Sequence, residues 1–222
     1  MTKAPFRPIL PDSRPNTPVV LVVLALTALP EIVFTLAGSG LVGMPGLRDW
    51  ALVHGAFWRG LLLDWVALYP GQREAMFLTH ALLHGGLLHL VGNMVVVAAL
   101  GGIVVARLGQ AGFLVLYVVS VIGGGLGFGL LSGSTAPMVG ASGAVFGLFG
   151  AWKYWEWRAR REAGAPMGPL WRFVIGLAVL NVILWAALSG LLAWEAHLGG
   201  FVAGWVWAAL ATPRRPVRDD AT

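Results

Sequence analysis

The chain contains no cysteine. Disulfides, thiolate nucleophiles and cysteine-ligated metals are therefore excluded. Charge is also scarce: Asp, Glu, Lys and Arg make up 11% of 222 residues, against about 25% in an ordinary soluble domain. So few charges cannot cover a folded surface of this size with water-compatible side chains. Hydrophobic residues reach 58%, so the outer surface must meet a lipid bilayer. The first apolar run follows polar and Pro-rich residues with no small-x-small site before it, so no cleavable signal peptide is expected.

The formal net charge is +5, which in a soluble protein would suggest nucleic acid. The placement of the charge argues against that partner. Lys3, Arg7 and Arg14 precede the first apolar run; Arg158, Arg160, Arg161 and Arg172 flank one short loop; Arg214, Arg215 and Arg218 form the tail. These are clusters at helix ends, the pattern that orients membrane segments.

Six apolar runs can be counted: Val19–Ala37, Leu87–Ala106, Gly112–Leu131, Ser142–Trp157, Leu170–Leu191 and Ala196–Thr212. Each approaches the roughly 20 residues that a span requires, and backbone groups inside a bilayer must be satisfied within the segment, which makes the runs helices. The expected architecture is an all-α bundle of six transmembrane helices over residues 19–212, between an N-terminal tail (1–18) and a C-terminal tail (213–222). The fourth and sixth runs are short and are expected to start or stop inside protein. An even number of spans puts both termini on one side, with Arg107 and Lys153, and the Lys/Arg excess makes that side cytoplasmic. Arg48, Arg59 and Arg73 fall opposite, in the first loop (38–79), where Asp49, Asp64 and Glu74 balance them. That loop mixes Trp50, Trp58 and Trp65 with charges, as amphipathic interfacial helices do; a folded external cap is the other reading. Glu31, late in the first run, is expected at the interface.

Polar residues inside spans are expensive and mark function by default. Four stand out: His89, Asn93, Ser142 and His197. Ser142 follows an uncharged loop and opens an apolar helix, so free N–H groups of the first turn and the helix dipole favour an anion there. Gly143 and Gly147 form one GxxxG face, and Gly200 and Gly204 another, with His197 on the same face. Close packing of the two faces would bring His197 toward Ser142, whose hydroxyl needs a neighbouring base to become a nucleophile. Only Glu195 is within a turn of His197, so the arrangement would be a dyad. His89 and Asn93, four apart, share a face and could donate to an oxyanion or simply tie two helices together. His80 and His84 have the same spacing, but no Glu completes a zinc-protease motif, so structural or water-holding roles are expected, and no cofactor or metal.

These residues, taken in order, resemble the rhomboid family of intramembrane serine proteases. Its second-helix His-x-x-x-Asn falls on His89 and Asn93, its G-x-S-G on Gly140-Ala141-Ser142-Gly143, and its A-H-x-x-G-x-x-x-G on Ala196-His197, Gly200 and Gly204. The resemblance spans about residues 50–212. It implies Ser142 as nucleophile, His197 as general base then acid, and an oxyanion hole from His89, Asn93 and the Ser142 N–H. Gly140, Gly143, Phe146, Gly200 and His84 would support them. It further implies single-span membrane proteins as substrates and residence in a bacterial inner membrane. Two departures are visible: Ala75-Met76 occupies the place of a first-loop Trp-Arg pair, and Phe146 stands where Tyr is common. Loss of Ser or His would mark a catalytically silent relative that binds membrane helices; both are present. A transporter would favour an internal repeat or paired mid-membrane charges, and neither is found.

Overall fold

A computed structural model describes residues 17–41 and 43–212. Lys3, Arg7, Arg14, Arg214, Arg215 and Arg218, with nearly all of both tails, lie outside the described residues. The described residues form α1 (Pro18–Gly38), α2 (Leu47–Gly55), α3 (Gln72–Thr79), α4 (Leu87–Leu131), α5 (Ser142–Ala163), α6 (Gly168–Ala187) and α7 (Trp194–Ala211). Single 3-10 turns occur at Arg59–Leu62 and His80–Leu82.

Among the described residues, three helices are long and apolar enough to cross a membrane on length and composition: α1, α4 and α6. At 1.5 Å per residue, the 45 residues of α4 would run about 68 Å if straight, twice a bilayer core. The helix breaks at Gly109, where φ 73° and ψ 178° are open to glycine and costly for any residue with a Cβ. Its two arms therefore fold back on each other, matching the second and third apolar runs. α5 and α7 are less apolar because they carry the polar groups: charges from Lys153 to Glu162 on α5, and Glu195 and His197 on α7.

α5 corrects one expectation. It is 22 residues long, not short, and continues past Trp157 to Ala163. Its charged last turns are held by Lys153–Glu156, Glu156–Arg160 and Arg158–Glu162 pairs at i,i+3 and i,i+4 spacing, the geometry in which opposite charges support a helix. Gly164 then ends it in the left-handed conformation, φ 60°.

The centre of the bundle is paved with glycine. A Cβ on Gly200 would lie 2.0 Å from the Gly143 carbonyl oxygen, and one on Gly204 2.0 Å from that of Gly147. The two GxxxG faces are thus in direct backbone contact. On the opposite side of α7, a Cβ on Gly199 would meet the Gly123 oxygen at 2.2 Å. α7 is held between α5 and the second arm of α4, with side chains absent where the backbones touch.

The two ends differ in charge. At one end the Val19 N–H donates to Gln110 beside the Gly109 break, the Arg107 guanidinium lies over the Trp155 ring, and Trp155 Nε1 donates to Thr212 at 2.9 Å. The start of α1, the α4 bend and the ends of α5 and α7 therefore share the end that carries Arg107, Lys153, Arg158, Arg160 and Arg161. The other end holds the first loop and the start of α5.

The first loop is a folded cap. Phe57, fully buried, packs edge-on against Phe77 and Phe128 and pairs its backbone with Met138 in both directions. Trp58 Nε1 donates to Leu52 O and Arg59 Nε to Gly129 O, so this Trp-Arg pair fastens the cap to itself and to α4. Trp50, Leu63, Trp65 and Val66 remain exposed on its outer face.

Glu31, expected at the interface, is 0% exposed, and Arg48 of the loop reaches both of its carboxylate oxygens at 2.7 and 2.8 Å. Arg48 also donates to the His84 carbonyl, tying α1, the cap and the chain before α4 together. Arg48→Ala strands a buried carboxylate. The expected loss is about 3 kcal/mol, the low end for a buried pair, because the Arg48 side chain is 32% exposed. The thermal midpoint in detergent reads it, and Glu31→Leu in the same chain should recover most of the loss.

Candidate active site

Ser142 is the first residue of α5, half-buried, preceded by Gly140 at φ 118° and by Ala141 as N-cap. The glycine is required twice over. Its φ is unfavourable for other residues, and a Cβ there would meet His89 Cε1 at 2.7 Å, His89 Nε2 at 2.8 Å and Asn93 Nδ2 at 3.6 Å. The bare Cα lets both side chains of α4 close on the turn that leads into Ser142. Asn93 is buried, and its Nδ2 has no hydrogen-bond partner among the described residues. A buried donor without a partner calls for an explanation, and this one lies beside the turn that leads into Ser142.

His80 and His84 brace the same turn. Both are 1% exposed. The His80 carbonyl accepts from the Gly140 N–H at 2.9 Å, and its ring Nδ1 bonds to the Met76 carbonyl. His84 Nε2 accepts from the Ala141 N–H at 3.4 Å, and its ring lies edge-on to His89. The i,i+4 histidines thus act as scaffold for the loop, each from a different atom.

His197, on the first turn of α7, is buried, and its ring is stacked on Phe146 with centroids 4.1 Å apart and planes 8° from parallel. Phe146 is one helical turn after Ser142, on the same face of α5. Gly143 and Gly200, in backbone contact, set the separation of the two helices at this level. Phe146 supplies the ring without the hydroxyl that Tyr would bring.

The structure therefore gathers every residue singled out in the sequence: Gly140, Ser142, His84, His89 and Asn93 at one turn, and Gly143, Phe146, His197 and Gly200 along the facing helices. One residue was missed. Asn181 of α6 bonds through Oδ1 to His197 Nδ1. It was visible as the lone amide in the apolar run from Leu170 to Leu191, the kind of residue that intramembrane polarity should flag. Beside it an apolar cleft of about 690 Å³ runs between α6 and α7, with Phe146, Asn181 and His197 in its wall.

Chemically, the arrangement offers a hydroxyl at a helix N-terminus, an imidazole held over the same face, and donors aimed at one turn. The Rhomboid domain profile matches residues 72–214. Among known proteins, rhomboid protease GlpG of Photorhabdus laumondii is 32% identical over 152 residues, 66% of this chain and 52% of that protein. GlpG of Yersinia pestis is 35% identical over 127 residues, 52% of this chain and 44% of that one. YdcA of Bacillus subtilis, named a candidate rhomboid protease, is 26% identical over 201 residues, 90% of this chain and 92% of its own. The chain thus spans about half the length of the GlpG relatives it matches, and nearly all of YdcA. The profile match covers more than half of the chain and includes Ser142, His197, His89 and Asn93; the protein belongs to the rhomboid family.

Proposed function

We propose that this protein is an intramembrane serine endopeptidase that cleaves membrane-spanning proteins with Ser142 as nucleophile and His197 as its base. One observation carries the reading: the His197 ring lies on Phe146, one turn from Ser142, while His89 and Asn93 close on the Gly140 turn that leads into it. Attack by Ser142 on a peptide carbonyl would pass its proton to His197 and leave an oxyanion. The Ser142 N–H at the helix start, with His89 and Asn93, would bind that charge. His197 would then give its proton to the leaving amine, and water would release the acyl group by the same steps.

Six crossings fit the helices: α1, the two arms of α4, α5, α6 and α7. The basic end then faces the cytoplasm with both termini, and Ser142 lies toward the opposite face, under the cap. Substrates would be single-span proteins with a helix-weakened segment, because a hydrogen-bonded helix does not present its carbonyls to a nucleophile. A bacterial inner membrane is the expected setting.

A fluorophosphonate probe on detergent-solubilised protein tests the chemistry. Wild type should label, Ser142→Ala should not, and His197→Ala should label far more slowly. Equal labelling of Ser142→Ala would sink the assignment. A reporter fused after Thr222 should read cytoplasmic; a signal from the other face would overturn the six-crossing count.

A further inference from the structure

We propose that Asn181 is a positioning residue for His197, fixing the imidazole in the tautomer that leaves Nε2 free to take a proton. The inference rests on His197 serving as the base of Ser142. An amide can be placed with its oxygen and nitrogen exchanged, and an imidazole with its proton on either nitrogen; here the partners decide both. Asn181 Nδ2 donates to the Leu177 carbonyl at 2.8 Å. A carbonyl only accepts, so the group on that side must be the NH₂. The oxygen of Asn181 then faces His197 Nδ1, and an amide oxygen also only accepts. The proton must sit on Nδ1. The neutral ring has one N–H, so Nε2 carries the lone pair and points away from α6.

Along the chain, Glu195 alone is an acid within a turn of His197, and a dyad was expected. The orienting group is an amide from another helix. Phe146 fixes the plane of the ring by stacking, and Asn181 fixes its rotation within that plane; together they leave the imidazole one orientation. A neutral acceptor suits a lipid-facing helix, where a carboxylate would be far costlier to bury. Among the described residues of α6 only Leu170 is buried, so packing does not explain an amide at position 181. The contact with His197 does.

The test reads the tautomer directly. In the Ser142→Ala background at pH 8, the ¹⁵N spectrum of His197, assigned by difference with His197→Ala, should show a protonated Nδ1. Asn181→Leu should convert it to a mixture or to the Nε2–H form, and Asn181→Asp, which keeps an acceptor, should restore it. With Ser142 present, Asn181→Leu should lower kcat on the order of 10²-fold, the scale of a misplaced catalytic group, with KM within about twofold and Asn181→Asp recovering part of the loss. A purely structural role would move neither the spectrum nor kcat alone. An unchanged Nδ1–H signal in Asn181→Leu, or an unchanged kcat, overturns the proposal. A wild-type protein without Ser142-dependent cleavage overturns the protease reading instead, and the spectrum tells the two failures apart because it needs no turnover.

Discussion

Ser142→Ala should bring cleavage of a reconstituted single-span substrate to background, a loss on the order of 10⁵–10⁶ in kcat. The size follows from the covalent step. When the nucleophile or base of a serine protease is removed, the remaining groups no longer act as a unit, and losses of about 10⁶ are typical of either single change. The same logic forbids additivity. His197→Ala should cost nearly as much as Ser142→Ala, and the double variant no more than the worse single. Asn93→Ala should behave differently. In the proposed mechanism it would remove one donor to the oxyanion and leave the nucleophile intact, so a loss of about 10²–10³ in kcat is expected. The buried and unpartnered Asn93 Nδ2 is what makes this prediction sharp: no existing hydrogen bond is broken, so the fold should be untouched. A kcat for Asn93→Ala equal to wild type would move the oxyanion donors to His89 and the backbone. A thermal midpoint that fell with kcat would assign Asn93 to structure. The measurements are single-turnover rates in proteoliposomes and midpoints in detergent.

The candidate site was legible in the sequence for a physical reason. Polar groups in lipid are costly, so Ser142, His197, His89 and Asn93 stand out against their neighbours, and close backbone contact leaves glycine spacing behind as a trace. Gly143/Gly147 and Gly200/Gly204 meet as their spacing implies. What the sequence hid were pairings between distant elements. Glu31 was placed by its position late in the first run; its partner, Arg48, lies 17 residues on and reaches back from the cap. Asn181 was passed over because its meaning depends on facing His197 across two helices. The length of α5 was underestimated because only its apolar run, to Trp157, was counted, whereas ion pairs at helical spacing neutralise one another and carry the helix on to Ala163. The 123–129 stretch, glycine-rich without an obvious register, gave no sign that it would pave the other side of α7.

That paving sets the second large effect. Gly204→Val should prevent recovery of folded protein, a destabilisation above about 4 kcal/mol, which belongs to the rare severe class. The first added carbon would lie 2.0 Å from the Gly147 oxygen and 2.6 Å from its carbonyl carbon and its Cα. All three are backbone, so no rotamer change can relieve the clash; the helices must separate. α7 cannot retreat, because its other side rests on Gly123 and Gly127, where a Cβ at Gly199 would be 2.2 Å from the Gly123 oxygen. Ordinary overpacking costs about 1–3 kcal/mol because side chains shift; here nothing can. Gly204→Ala should already lower the thermal midpoint strongly, since its Cβ alone makes the contact. Gly102→Ala is the control. Nothing lies within 4 Å of a Cβ there, and alanine in a helix interior is favoured over glycine by roughly 0.5–1 kcal/mol, so its midpoint should hold or rise. If Gly204→Ala and Gly102→Ala gave the same midpoint, the contact between α5 and α7 would be looser than these distances require. The separation that holds His197 on Phe146, a single turn from Gly200, would then have to come from elsewhere. A graded loss with side-chain size at position 204, paired with a parallel loss of fluorophosphonate labelling at Ser142, would tie the fold and the site to one backbone contact.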